Sequence, residues 1–442
     1  MVCTFAKAPH ALPLAGHVVQ LGARPLDFLH TLPELADLVE LRVGRAPVLI
    51  PTHPDLVWQF LRESRTFDKG GPVFEKVRTL LGNGLANCMH EDHKHQRRLM
   101  NPGFNPRHFE GYAQAISDSV DEVTGPWRHG MQVQATDAMI AITTRVATKT
   151  LASDAIAEQD VRTLPELFGI LNRTTYRRVV APFGVMEKLP TRANQRYLQA
   201  RSRLWRIADS VIAHHRAHPG QHEDLLSRML EARDPQGEGL TEQELRDEVL
   251  ILFTGEVETI GSALSWAFYM IAMHPEVEDA LQREADQVLS GRVARFEDLP
   301  KLKLAARVMT ESVRMWPPVW LITREATHET ELGGRNVPQG SILAYSPYMV
   351  HRHPGYYERP HSFDPDRWLP GRHEHLPRGA FIPFGAGSRI CIAEQFAMLE
   401  ATIILASLCA RWKLEPLAGA KVRPVPRMLL RPSSLPVRLT ER

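Results

Sequence analysis

One stretch of the chain concentrates residues that could hold a metal: "FIPFGAGSRICIAEQF", Phe381 to Phe396. Cys391 lies there between a loop carrying Gly385 and Gly387 and the apolar run "IAEQFAMLEATIILASLCARW", in which Phe396, Leu399 and Ile403 recur at helical spacing. That register puts the sulfur at a helix N-terminus, where the macrodipole and free N–H groups favour the thiolate and lower the thiol pKa. Arg389, two residues earlier, adds a cation. The glycines permit a tight turn and a close approach of backbone to a flat partner. A lone cysteine is more often an inert buried thiol, so the setting carries the argument. No CxxC pair or Cys/His set lies nearby, which leaves zinc and iron–sulfur clusters without ligands. One thiolate suits a haem iron, whose equatorial ligands come with the cofactor. Reading "GAG" as half of a dinucleotide fingerprint fails for want of a third glycine and a downstream acid.

Four other segments hold chemistry-bearing residues. "TESVRMWPP" sets Glu311 and Arg314 three apart on one helix face that Pro317 and Pro318 end; by itself this is a surface ion pair. "HEDHKHQRRLMNPGF" places His93 and Arg97 four apart on one face, while His90-Glu91-Asp92-His93 misses the HExxH spacing of a zinc site. His90 and His95 read as solvated. "LITREA" supplies Arg324. "FTGEVETIG" puts Gly255 inside a helical pattern, where glycine costs about 1 kcal/mol against alanine. Space for a small ligand or close helix packing would each account for it. Glu258 and Thr259 follow, a carboxylate and a hydroxyl suited to moving protons, and Glu256 adds a second carboxylate.

The elements that must position these residues are mostly helical. The chain has 442 residues, 43% hydrophobic and 24% charged, with 53 basic against 51 acidic side chains and a formal charge of +2. That balance gives no reason to expect nucleic acid or an anionic membrane as partner. Four scattered cysteines indicate a reducing compartment. The start, "MVCTFAKAPHALPLAGHVVQ", has neither the cationic region nor the apolar core of a leader or membrane anchor, and a soluble cytoplasmic protein is expected. "LVELRVG" (Leu38–Gly44) and "APVLIPT" (Ala46–Thr52) predict paired strands, and Pro54 opens a helix. From about 92 to 315 the pattern is helical. Its longest run is Thr241 to His274, opened by a Thr241/Glu244 capping box and apolar nearly all round. After Pro317 strands and turns return. One domain follows, mainly α with a smaller β-rich lobe (α+β): the β-rich lobe mainly 1–60 and 317–380, the α-rich lobe mainly 61–316 and 391–414.

"FGAGSRICIA", with Phe384, Gly387 and Cys391 in register, resembles the cysteine loop of the cytochrome P450 superfamily, Phe-x-x-Gly-x-x-x-Cys-x-Gly. Ala393 stands at the last glycine, and its small size predicts that the loop–helix junction survives. Nearly the whole chain shares the likeness, which implies a single triangular-prism-like domain over 1–442 and haem b as cofactor, with Cys391 as axial ligand. By the same resemblance "FDPDRWLP" supplies Arg367, with Trp368 for the family's Phe, to a buried triad with Glu311 and Arg314 that supports the cysteine loop. His93, Arg97, Arg324 and Arg389 are the expected partners of the two haem propionates. Gly255, Glu258 and Thr259 match Gly-x-x-acid-Thr, the oxygen groove, with Thr259 hydrogen-bonding there and Glu258 relaying protons. Glu256 departs from the small residue usual at its position.

The implied reaction inserts one atom of O2 into a C–H or C=C bond of a hydrophobic small molecule, with electrons from a ferredoxin and its reductase. Distal walls are expected from "GGPVFEKVRTLLGNGLANCM", "TYRRVVAPFGVMEKLP", Phe253–Val257 and "PPVWLI". "SRTFDKGGP", "PPVWLITREA" and "YSPYMVHRHP" look closest to bacterial terpenoid hydroxylases of secondary metabolism. A polyketide or fatty-acyl substrate, a peroxide-using haem-thiolate enzyme and a non-catalytic haem-binding protein are the alternatives. Arg98, Lys94 and Arg107 are candidates for a ferredoxin-docking face.

Overall fold

β-branched and leucine-rich runs pair where the pattern predicts. In the computed structural model, which describes residues 3–153, 155–180 and 189–442, Leu38–Val43 and Ala46–Pro51 run antiparallel around Gly44, whose φ of +62° suits a residue without Cβ. They belong to a six-stranded sheet. Phe5–Lys7 adds in parallel to Leu38–Val43, and Ile342–Tyr345 adds in parallel to Ala46–Pro51. Ile322–Ala326 then pairs antiparallel with Ile342–Tyr345, and the short strand Phe67–Asp68 closes the edge. Its register sets Asp68 opposite Glu325, one residue from Arg324.

Strands also occur within the stretches expected to be helical or beyond them. Trp412–Pro416, Pro436–Glu441 and Gln132–Gln134 form a three-stranded sheet, and Pro424–Pro426 with Leu430–Pro432 a hairpin. Two buried apolar clusters result, one helical and one around the large sheet, and the half-buried Trp316 packs against both.

The long apolar run forms one helix, Glu242–Ala272, and Thr241 and Glu244 make the predicted capping box. By length and composition it could cross a membrane, but 72% of its most apolar window is buried inside the protein. Such a helix is the core element of the fold. Neighbours fix it on several faces. Gly261 lets the helix Ala135–Ala152 come close: a Cβ there would lie 2.6 Å from Ile140 Cδ1. Thr143 Oγ1 donates to Val257 O (3.0 Å). Ser262 Oγ and Trp266 Nε1 both donate to Leu430 O in the C-terminal hairpin, and Trp266 stacks on Trp316 at 4.1 Å between ring centroids.

Two carboxylates tie the central helix to the loop after the helix Gly71–Leu81. Asp247 Oδ2 accepts from Asn83 N (2.7 Å), and Glu248 Oε1 accepts from Leu85 N (2.8 Å). Gly82, at φ +73°, leaves the room that Asp247 occupies. Glu248 is fully buried and its Oε2 has no partner among the described residues, so burial pushes its carboxyl up to about 8.

Candidate haem-binding site

The cysteine loop is a set of turns ending in the helix Glu394–Arg411. Cys391 N donates to Phe384 O (2.9 Å), closing the loop, and Gly385 (φ +74°) and Gly387 (φ +68°) take conformations that side chains disfavour. Gly387 also lies on the helix Pro54–Arg62, where a Cβ would sit 2.6 Å from Leu61 O. Ala393 has φ −96°, open to any L-residue, and its carbonyl accepts from Ala397 N (2.7 Å). The missing glycine therefore costs the junction nothing.

Cys391 is enclosed by the fold yet presents accessible surface, as a side chain facing an interior space does. Its thiol departs from the expected direction. Burial pushes it up, and the hydrogen bond from the Ala393 amide and the Arg97 and Lys69 cations only partly offset this. The sulfur stands three residues before the helix begins, and Arg389 turns away from it. A thiol so placed becomes a thiolate against a Lewis acid, since coordination to a metal ion deprotonates it outright.

Buried positive charge surrounds the loop. His93 and Arg97 come from the helix His90–Met100, Arg324 from the sheet, and Arg389 from the cysteine loop. Arg389 is committed: Nη2 reaches Asp68 Oδ1 (2.7 Å) and Nη1 reaches Cys88 O (2.9 Å), but among the described residues the buried Nε has no partner. Arg324 is buried and its Nη1 is likewise partnerless. Arg97 donates to Ile390 O. Burial and the neighbouring cations Arg389, Lys69 and Arg97 push His93 down to about 3. Lys69 was not singled out in the sequence; burial, Arg324 and Arg389 drive it well below the usual lysine range. Its signal was its place just after the edge strand that carries Asp68. Asp68 is the carboxylate that offsets this group, and it is occupied by Arg389 and the His90 amide. Unpaired guanidinium donors in the interior call for anions.

His90 and His95 are engaged rather than solvated. His90 Nε2 accepts from Arg65 Nε (2.9 Å), and His95 lies 3.6 Å from Asp234.

Glu311 and Arg314, both with no exposed side-chain surface, form a bidentate pair with two 2.8 Å bonds. Arg367 Nε approaches Glu311 Oε1 at 3.4 Å. Trp368 Nε1 donates to Glu311 Oε2 (2.9 Å) and Asp364 N to Oε1 (3.1 Å), so the carboxylate meets donors on every side. The indole in place of a phenyl ring thus adds a hydrogen bond, and it also packs on Phe381 at 4.4 Å. His351 was not foreseen. Its Nδ1 donates to Arg314 O (3.1 Å) and its Nε2 accepts from Ile382 N (2.9 Å), linking the triad to the loop's first residues. Burial holds this histidine neutral, near 3.

On the central helix, Gly255 is exposed between the half-buried Thr254 and Glu256, and among the described residues nothing lies within 4 Å of where its Cβ would be. Open space accounts for Gly255; close packing accounts for Gly261. Leu252, Gly255 and Thr259 share this accessible face, whereas Phe253 and Val257, expected in the wall, are packed in the helical core. At 100° per residue only one face of the helix can meet the space. Thr259 Oγ1 donates to Gly255 O. Glu258 points elsewhere: Oε2 lies 3.9 Å from an Arg431 guanidinium nitrogen and the carboxylate hydrogen-bonds Asn172, while burial pushes its pKa up. Glu256 Oε1 is 3.4 Å from Thr150 Oγ1, and burial together with Glu256 pushes up the pKa of Glu400, whose two oxygens have no partner among the described residues. Of "TYRRVVAPFGVMEKLP", residues 181–188 lie outside the described residues.

A family model for cytochrome P450 matches residues 7–437. The chain is 42% identical over 425 residues to cyclooctatin synthase of Streptomyces melanosporofaciens, covering 96% of this chain and 93% of that one. It is 42% identical over 417 residues to cyclooctat-9-en-7-ol 5-monooxygenase of the same organism (94% and 91%), and 36% identical over 436 residues to pentalenene oxygenase of Streptomyces avermitilis (98% and 97%). The crystal structure of the cytochrome P450DA haem domain superposes with a TM-score of 0.90 at 24% identity, covering 100% of this chain and 99% of that one. With Cys391 facing an interior space beside buried guanidiniums that keep nitrogens free for an anion, the chain belongs to the cytochrome P450 family and is a haem-dependent monooxygenase.

Proposed function

We propose that this enzyme hydroxylates a terpenoid of bacterial secondary metabolism, using haem b held through Cys391. The observation that carries the reading is the pairing of an accessible interior Cys391 with the partnerless buried nitrogens of Arg324 and Arg389. His93, Arg97 and Arg324 would hold the haem carboxylates, with Arg389 Nε completing the set. Haem ligated by thiolate supplies O2 activation, the push of the sulfur favouring O–O cleavage. The protein's residues do the rest. The Glu311–Arg314–Arg367 triad, with His351 and Trp368, keeps the cysteine loop rigid. Gly255 leaves room for a diatomic ligand, and Leu252 helps exclude water. Thr259 parks its proton on Gly255 O; breaking that bond frees the hydroxyl to donate into the pocket. Glu258 takes up a proton beside the partly exposed Arg431, and handing it on to Thr259 requires its side chain to swing away from Arg431 and Asn172.

Two terpenoid-modifying relatives from Streptomyces, cyclooctat-9-en-7-ol 5-monooxygenase and pentalenene oxygenase, support the substrate class. A ferredoxin with its reductase would supply electrons in the cytoplasm. Lys94 and Arg98, exposed on the helix that carries His93 and Arg97, and the exposed Arg107 fit an acidic partner. Titration of the ferric enzyme with terpene hydrocarbons and their alcohols tests the substrate. A low-to-high-spin shift, with hydroxylated product when NADPH, ferredoxin and reductase are added, is expected. Spin shifts confined to fatty acids or polyketides would move the assignment to those classes.

A further inference from the structure

Away from the haem site, the segment "AHHRAHPGQHED" sets four histidines and an aspartate around the junction of two helices, Arg192–Ala217 and Leu225–Glu231. We propose that His215, His222 and Asp224 form a binding site for a divalent cation of the zinc class, which fastens this junction.

Three ligand atoms, one from each residue, lie within 4.8 Å of one another. Ligands 2.0–2.2 Å from a tetrahedral zinc stand about 3.4 Å apart, so small rotations suffice. Hydrogen bonding points the same way. His215 Nδ1 is 3.0 Å from Val211 O, a carbonyl that can only accept, so Nδ1 carries the proton. Its Nε2 then faces Asp224 Oδ2 at 2.7 Å, a lone pair against a carboxylate oxygen. Two acceptors cannot stand that close unaided: at a hydrogen-bond distance a second proton lies between them, and a metal ion would replace that proton as the two atoms open to about 3.4 Å.

His222 distinguishes the two. Its Nε2 is buried and has no hydrogen-bond partner among the described residues, and its ring lies 4.6 Å from that of His215. A second proton on His215 would satisfy the aspartate and leave His222 stranded; a metal ion uses all three. The surroundings are built as metal sites are. The carbonyl of Val211 orients one imidazole. Asp224 is held by its second oxygen, which caps the following helix through Ser227 N (2.8 Å). His215 and Asp224 are both about 3% exposed. Two imidazoles and one carboxylate favour zinc, cobalt or nickel over magnesium and calcium, which prefer all-oxygen shells. Water can fill the fourth position.

The test is equilibrium dialysis of the untagged, haem-loaded enzyme against micromolar Zn2+, read by elemental analysis and by the thermal unfolding midpoint. One zinc per haem and a raised midpoint are expected. Mg2+ should do neither. His222→Ala, which removes a ring whose Nε2 has no protein partner to lose, should weaken zinc binding by more than the roughly 10–100-fold that an outer-shell substitution costs, and abolish the zinc-induced rise. Asp224→Asn, which keeps an oxygen for the Ser227 cap, should act likewise should the first variant fail to fold. Zinc at background in the wild type, or equal occupancy in a folded variant, would overturn the site in favour of an imidazolium–carboxylate pair.

Discussion

Glu248→Gln tests how the fold holds its loop over the central helix. Burial pushes the wild-type carboxyl, which has only Leu85 N as partner among the described residues, up to about 8 from the 4.5 of an ordinary glutamate. Between those values the folded chain keeps a proton that the unfolded chain has released. Stability is therefore fully present below 4.5 and declines as pH rises toward 8, by about 1.4 kcal/mol per pH unit. Glutamine has the same shape, keeps an oxygen for Leu85 N, and never ionises. At pH 5 the two proteins should be nearly equal. At pH 7 the variant should be more stable by about 3 kcal/mol, and above 8 the gap should level off. Urea unfolding followed by tryptophan fluorescence, at equal haem saturation and at half-unit steps from pH 5 to 9, measures it. A difference that does not vary with pH, or a variant weaker at pH 8, would refute the reasoning and mean that Glu248 is ionised and paired.

Other outcomes follow from single contacts. Glu311→Gln leaves the buried Arg314 without its counter-charge and should cost about 3–5 kcal/mol, with loss of bound haem on gel filtration. Trp368→Phe removes one bond to a charged group and should cost about 1.5–3 kcal/mol with haem retained. Gly261→Ala collides with Ile140 and should lower the unfolding midpoint, whereas Gly255→Ala, facing open space, should leave it unchanged or raised while reducing turnover. Thr259→Ala should leave haem bound and divert reducing equivalents to hydrogen peroxide, measured as peroxide released per NADPH consumed; unchanged coupling would count against the hydroxyl's role.

What the sequence made legible was whatever a local pattern encodes. The capping box at Thr241, the strand pair at Leu38 and Ala46, and the glycines at 385 and 387 each express a short-range rule, and each stands in the fold. Long-range partners were not legible. Nothing near Arg389 in sequence announces Asp68, 321 residues away, yet that carboxylate takes one end of its guanidinium. Lys69 and His351 enter the site through strand register and loop closure, which no spacing rule predicts. The direction of the Cys391 pKa failed for a related reason. A helix dipole can be read from sequence, but the desolvation that outweighs it depends on how the whole chain closes around the sulfur.

The account turns on sulfur ligating iron. Reduced, haem-loaded protein treated with carbon monoxide should give the strongly red-shifted absorption band of a thiolate-ligated haem, and Cys391→Ser should lose that band while still folding. A variant that keeps the band, or wild-type protein that stays colourless after hemin is supplied, would contradict it.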